Sequence, residues 1–309
     1  MEAFVSALLQ STVKMAVPLL LASVGELVSQ RAGVINVGLE GKILVAAFAA
    51  MAVAYFSGSP WAGVLAGVAA SLLLAVLSGF LMVVLAADQV IVGTALNLLA
   101  LGLTGVGYRA AFGVTGAALT VPPLPAWPLP WVSELPWVGP ALFSRTVLGY
   151  LTALALVLVW FFLFRTRAGL RLRAVGENPE AADAEGVPVV RTRFFAVLAC
   201  GAFAGLAGSY LSVVYARTFV EGMSAGRGFL ALAIVVFGRW SPLGALFGAL
   251  LFGMATALQF HFQALALDVP YHLLLAFPYA VTLAVLAVAG ARGADAPRAL
   301  GVPYARRGA

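Results

Sequence analysis

A chain of 309 residues that is 63% hydrophobic and only 10% charged has a mean hydropathy of +1.04. Soluble domains carry about 25% charged residues, so an ordinary soluble protein is excluded. The formal charge of +6 does not point to nucleic acid, because its arginines cluster in a few short connections between apolar runs.

Apolar runs of about 17–25 residues can cross a bilayer. In chain order they fall near 5–28, 40–57, 61–86, 89–110, 143–164, 194–215, 228–238, 242–260 and 271–290. The pattern predicts an all-α polytopic membrane protein of about nine spans (8–10), with 40–57 and 228–238 the shortest. One transmembrane unit over 1–309 is expected: a first half (about 5–110), a connecting span and basic loop (143–193), a second half (194–290) and a tail (291–309). Glu2, the absence of a basic leader and Lys14 within the first run argue against a cleaved signal peptide.

Between the first two runs, Gly33-Val34-Ile35-Asn36-Val37-Gly38-Leu39-Glu40-Gly41 sets an acid, an amide and three glycines against hydrocarbon. Irregular backbone at membrane depth is tolerated where it is buried in protein or lines a passage. Asn36 and Glu40 either line such a passage or cap the helix that starts near 40. In the fourth run Gln89, Thr94 and Asn97 are polar, and 94 and 97 share a helix face. They suit either a passage for an uncharged polar cargo or bonding between helices. The stretch 111–140, rich in Pro and Trp, suits an interfacial lid or a docking surface for an extracytoplasmic partner.

Six of 16 arginines lie in 165–193 and four more (Arg292, Arg298, Arg306, Arg307) in the tail. Short basic loops stay cytoplasmic, so that loop, Arg31, Arg239 and the C-terminus are predicted inside and the N-terminus outside. Within the loop, Asn178 fits an N-cap and Pro179 the first helical position, Glu180, Asp183 and Glu185 suit a helix start, and Gly186 and Pro188 end it. A short capped helix of about seven residues suits insertion into a groove on another protein.

The second half contains an echo of the first. Ser59-Pro60-Trp61-Ala62-Gly63 resembles Ser241-Pro242-Leu243-Gly244-Ala245 at an offset of 182, each preceded by a short run entered through glycines (Gly38 and Gly41; Gly222, Gly226 and Gly228). With the two Ser-Pro pairs on opposite sides, the halves are predicted to be inverted repeats, a transporter pattern. Glu221 and Arg227 flank the second break and can pair. Cys200 is read as a core residue, and His261 and His272 as interface residues without metal-ligand spacing. Lys14 is the charge expected deepest in a span, while Glu26, Glu40 and Asp88 sit at span ends. A membrane enzyme or a secondary transporter would want clustered ionisable groups inside the spans, so neither is favoured.

Val175-Gly176-Glu177-Asn178-Pro179-Glu180-Ala181-Ala182 through Gly186 resembles the coupling-helix region of ABC-importer permeases of the branched-chain amino acid, simple-sugar and nucleoside group. The segments 33–41, 88–99, 226–233 and 237–242 resemble the nucleoside and simple-sugar branch, in the family's order, from near Val13 to near Gly290. The resemblance implies a type II importer fold with inverted halves, working with a second, unlike permease, cytoplasmic ATPase subunits and an extracytoplasmic substrate-binding protein. It implies the shorter permease of a nucleoside importer, with a simple sugar or branched-chain amino acid as the alternative cargo. It also implies a bacterial inner membrane, and no cofactor in this chain, since ATP and Mg belong to the ATPase. The chain has no phosphate-cradling Gly-x4-Gly-Lys-Ser/Thr. Coupling would rest on Glu177, Asn178, Pro179, Glu180, Ala182, Asp183 and Gly186, and the pathway on Asn36, Glu40, Gln89, Thr94 and Asn97. The breaks would be made by Gly38, Gly41, Gly226, Arg227 and Gly228. Lys42, where relatives usually carry a hydrophobic residue, adds a cation beside Glu40.

Overall fold

The computed structural model describes residues 2–113, 119–128, 144–264 and 296–305, with isolated helical positions between 276 and 287. Its helices are α1 (Glu2–Arg31), α2 (Leu39–Ser57), α3 (Pro60–Gly79), α4 (Gln89–Phe112), α5 (Val147–Arg165), α6 (Arg167–Glu177), α7 (Pro179–Ala184), α8 (Val189–Ser209), α9 (Arg227–Phe237) and α10 (Pro242–Ala264). π-helical turns, Phe80–Val84 and Tyr210–Tyr215, extend α3 and α8. A small antiparallel ribbon pairs β1 (Ala126–Pro128) with β2 (Ser144–Thr146).

Seven described helices are long and apolar enough to cross a membrane, and α9 is a shorter apolar helix. Eight of the nine predicted runs are therefore helical, and the ninth, 271–290, falls mostly outside the described residues together with His272. Two boundaries moved. The helix expected from 194 starts at Val189, so Arg191 and Arg193 belong to it. The basic stretch expected as a loop from 165 is the amphipathic helix α6, whose Gly169, Leu172, Val175 and Gly176 turn inward. Runs of alternating Arg and apolar residues look like loop by charge but have a helical apolar stripe.

The two Ser-Pro pairs start helices in the same way. Ser59 Oγ accepts from Ala62 N at 3.4 Å, and Ser241 Oγ from Gly244 N at 3.1 Å, each with proline next in the chain. The packing repeats as well: α1 lies along α10 as α8 lies along α3, and α1 crosses α8. Shifting by 182 residues carries α1 towards α8, α2 onto α9 and α3 onto α10, so the long-range packing is exchanged between the halves. At the α1–α8 crossing, a Cβ on Gly25 would lie 2.6 Å from Phe203 Cβ. Only a glycine lets these backbones approach.

The segments that the arginine pattern predicts on one side of the membrane meet at one end of the molecule. Arg31 Nε donates to Trp240 O (2.8 Å), Ala299 N to Gly176 O (2.9 Å) and Gly301 N to Gly33 O (3.1 Å). Arg193, 2% exposed, clamps that end by donating to Ala32 O (3.1 Å) and Val302 O (2.8 Å).

Candidate functional site

The two predicted breaks meet at Glu40. After α1 the chain runs without regular structure through 34–36 and enters α2, whose first turn carries Glu40. Before α9 it runs through an irregular stretch ending at Gly226, which has φ +79°. Glu40 Oε1 accepts from Gly226 N (2.8 Å) and Oε2 from Gly228 N (2.6 Å). A Cβ on Gly228 would lie 2.5 Å from Glu40 N, so the start of α9 presses directly on the start of α2. Both helix N-termini carry partial positive charge, and the carboxylate sits between them.

α4 holds the first break in place. Gln89, buried, accepts from Ile35 N at 2.7 Å. Asn97 accepts from Gly41 N (2.8 Å) and donates to Val37 O (3.0 Å). Gly93 passes against Val37 and Gly38, where its Cβ would meet Gly38 N at 2.7 Å. Gly41 packs on Leu96 and Ala100. Thr94 is exposed, and its hydroxyl bonds back to Val90 O at 2.8 Å. Of the five pathway candidates, Glu40, Gln89 and Asn97 are thus engaged with backbone around the breaks, the side chain of Asn36 bonds Lys42 and Cys200 instead, and Thr94 points away from the breaks.

Two fully buried charges were not foreseen. Glu26, expected at a span end, is 0% exposed, and so is Lys42. Lys42 does not reach back to Glu40, because residues two apart on a helix face different sides. Its Nζ instead donates to Asn36 Oδ1 at 2.8 Å. Asn36 N donates to Glu26 Oε1 (3.1 Å), and Asn36 Nδ2 to Cys200 Sγ (3.2 Å). Cys200 Sγ donates to Glu26 Oε2 (3.4 Å) and Gln30 Nε2 to Glu26 Oε1 (2.8 Å), while Gln30 Oε1 accepts from Trp240 Nε1 at 2.7 Å. One network therefore joins α1, the first break, α2, α8 and the turn between α9 and α10. The sequence signal was Lys42 itself, a lone cation inside an apolar run.

Around the second break, Glu221 lies 3.6 Å from Arg109 Nε of α4, a partner that the sequence did not suggest. Arg227 donates to Met223 O and Ser224 O at 2.9 and 3.1 Å. His261 stacks edge-on with Phe4 at 5.4 Å, and the described residues contain no group of side chains fit to hold a metal ion.

At the basic end, α7 has the predicted start and stop and is six residues long. Asn178 Oδ1 accepts from Ala181 N (3.0 Å), Pro179 follows, and Gly186 (φ +79°) closes the turn by donating to Asp183 O at 2.9 Å. Glu177, Asn178, Glu180 and Gly186 are exposed, and Pro179 and Asp183 are half-buried. Ala182 departs from the expected docking set: it is buried with Val175 and Val189, against the chain's own Val187 and Tyr304. On a helix two turns long, one side must face the body of the protein, and position 182 is on it.

Seven described helices of membrane-crossing length, with α2 and the shorter α9 starting at breaks that meet at one carboxylate, define a multi-pass membrane protein. The chain belongs to the family described as the branched-chain amino acid transport system / permease component, whose pattern matches residues 8–286. It is 41% identical to TsgC13 of Haloferax volcanii, provisionally named a glucose ABC transporter permease, over 93% of this chain and 92% of that one. It is 38% identical to the guanosine ABC transporter permease NupQ of Bacillus subtilis (97% and 96% covered) and 37% identical to the nucleoside ABC transporter permease NupC of Lactococcus lactis (93% of each). Both bacteria have a second, unlike permease of the same name series, NupP and NupB, of which this chain covers only 70% and 68%. No solved structure matches the chain.

Proposed function

We propose that this chain is the shorter permease of a heterodimeric, ATP-driven importer for a nucleoside, with its N-terminus outside and its C-terminus in the cytoplasm. The similarity to a guanosine permease over nearly the whole of both chains carries this reading. The site supports it chemically. Anion-carrying transporters aim broken-helix N-termini at the cargo's charge, but here Glu40 already occupies those ends. Neither of these two termini is then open to an amino acid carboxylate, which favours neutral, hydroxyl-bearing cargo. A simple sugar is the second reading, favoured by the relative named for glucose. A substrate-binding protein would deliver the cargo from outside, and partner ATPases would bind ATP and Mg. The decisive experiment is uptake of labelled guanosine, in cells carrying the whole transporter, with unlabelled nucleosides, glucose or leucine as competitors. Competition by nucleosides alone is expected. Guanosine uptake independent of this chain would remove the nucleoside reading, and uptake of labelled glucose that requires the chain would select the sugar reading.

The ATPase would dock on the outward side of α6–α7, through Glu177, Asn178, Pro179, Glu180, Asp183 and Gly186. Glu180→Arg with Gly186→Trp reverses one exposed charge and puts a bulky ring at a left-handed turn. The double variant is expected to insert and stay folded, melting slightly below wild type because of the strained turn, while uptake falls at least about tenfold, the effect of losing about 1.4 kcal/mol of coupling. Unchanged uptake and ATPase co-purification would remove the docking role.

A further inference from the structure

We propose that a cleft between α1, α5, α6 and α8, at the basic end, holds one anionic phospholipid, with its phosphate on Arg171 and an acyl chain between the helices. The cleft has a volume of about 290 Å³ and is walled by Val28, Phe162, Leu172, Phe195 and Ala199, with Arg171 and Thr192 the polar groups at its edge. No acidic side chain lines it. Arg171 is exposed and makes no hydrogen bond or ion pair with the described residues. From Thr192 to Ala199 the α8 wall rises about 10 Å, so the cleft reaches from the interface well into hydrocarbon depth.

Charge selects the occupant. Residues 165–173 contain four arginines and no acid. Arg165 lies over the Trp160 ring at 5.5 Å and Arg173 over the Phe164 ring at 5.0 Å, so two of them are already held on aromatic faces. Of the other two, Arg167 lies outside the cleft lining and Arg171 stands at the mouth of an apolar cleft, beside the exposed Leu170 of an amphipathic helix. A helix with that division lies along the headgroup layer, and a basic pocket between transmembrane helices at that level suits an anionic headgroup. A neutral lipid would fill the apolar walls and leave the guanidinium unanswered.

The test is native mass spectrometry of the full chain, with the subunits that accompany it, purified in mild detergent and offered phosphatidylglycerol or phosphatidylcholine of the same acyl chains. Wild type is expected to retain phosphatidylglycerol preferentially. Arg171→Gln should weaken that retention about fivefold, the loss of one surface cation's attraction, and leave phosphatidylcholine unchanged. Ala168→Trp, at an exposed position lining the cleft, should reduce both lipids. Arg167→Gln, exposed but outside the cleft lining, should change neither. Melting midpoints equal to wild type confirm that each variant is folded. Equal retention of the two lipids by wild type, an unchanged preference in Arg171→Gln, or an equal loss in Arg167→Gln would overturn the site. The last result would mean diffuse surface attraction, and the first would leave the cleft to a neutral lipid or a protein partner.

Discussion

Glu40→Ala is expected to lower stability by about 3–6 kcal/mol, because it removes two hydrogen bonds to an ionised group worth about 1.5–3 kcal/mol each. Uptake should fall to background with it. The two lost bonds are the ones that fasten Gly226 N and Gly228 N at the start of α9 to the first turn of α2. Without the carboxylate, the first N–H groups of α9 face either hydrocarbon or a neighbouring helix, and the break opens. Glu40→Gln should fall between wild type and Ala, since the amide oxygen can still accept from one N–H while its NH2 group meets the other donor. Thermal melting in detergent beside uptake in cells measures both effects. An alanine variant that melts and transports like wild type would mean that α9 is held by its apolar face alone. The outcome also bears on cargo: if the carboxylate neutralises these helix ends, the two termini are closed to an anion.

Much of this arrangement was legible in the chain, and the reasons differ by residue. Gly38, Gly41, Gly226 and Gly228 stood out because glycine interrupts apolar runs where the backbone turns or touches a neighbour, and all four lie at or beside the breaks. Asn178, Pro179 and Gly186 were readable because capping is a local affair of three or four residues. The repeat in the packing was visible only as a short Ser-Pro echo, since lipid-facing positions tolerate any apolar residue and carry no register. What could not be read was partnership at long range. Nothing near Glu40 in the sequence announces Gly226, 186 positions away, as its partner. Glu26 looked like a span-end acid because a hydropathy window sees only its own neighbours, whereas α8 covers it from residue 200. Polarity in a span said that Asn97 and Gln89 needed partners, but it could not distinguish cargo from backbone; in the fold the partners are backbone.

Lys42→Met should destabilise the protein by about 3–5 kcal/mol, the usual effect of leaving a buried charge without its compensating charge. Combining it with Glu26→Gln should recover most of that loss. The two charges share Asn36, whose backbone N–H goes to Glu26 and whose side-chain Oδ1 takes the ammonium. Removing Lys42 alone leaves Glu26 facing only Gln30, Asn36 and Cys200, with no buried cation in the network. Removing both charges leaves a neutral cluster in which glutamine can still accept from Gln30 and from Asn36 N, and methionine fills the volume of the lysine stem. Melting the two single variants and the double variant in detergent gives the coupling as a departure from additivity. Strictly additive losses would show that Glu26 and Lys42 do not sense each other and that Asn36 serves each separately. The same network ends at Trp240, through Gln30. The single Lys42 variant should therefore loosen the turn between α9 and α10 as well as the first break, and uptake should fall even where the protein remains folded.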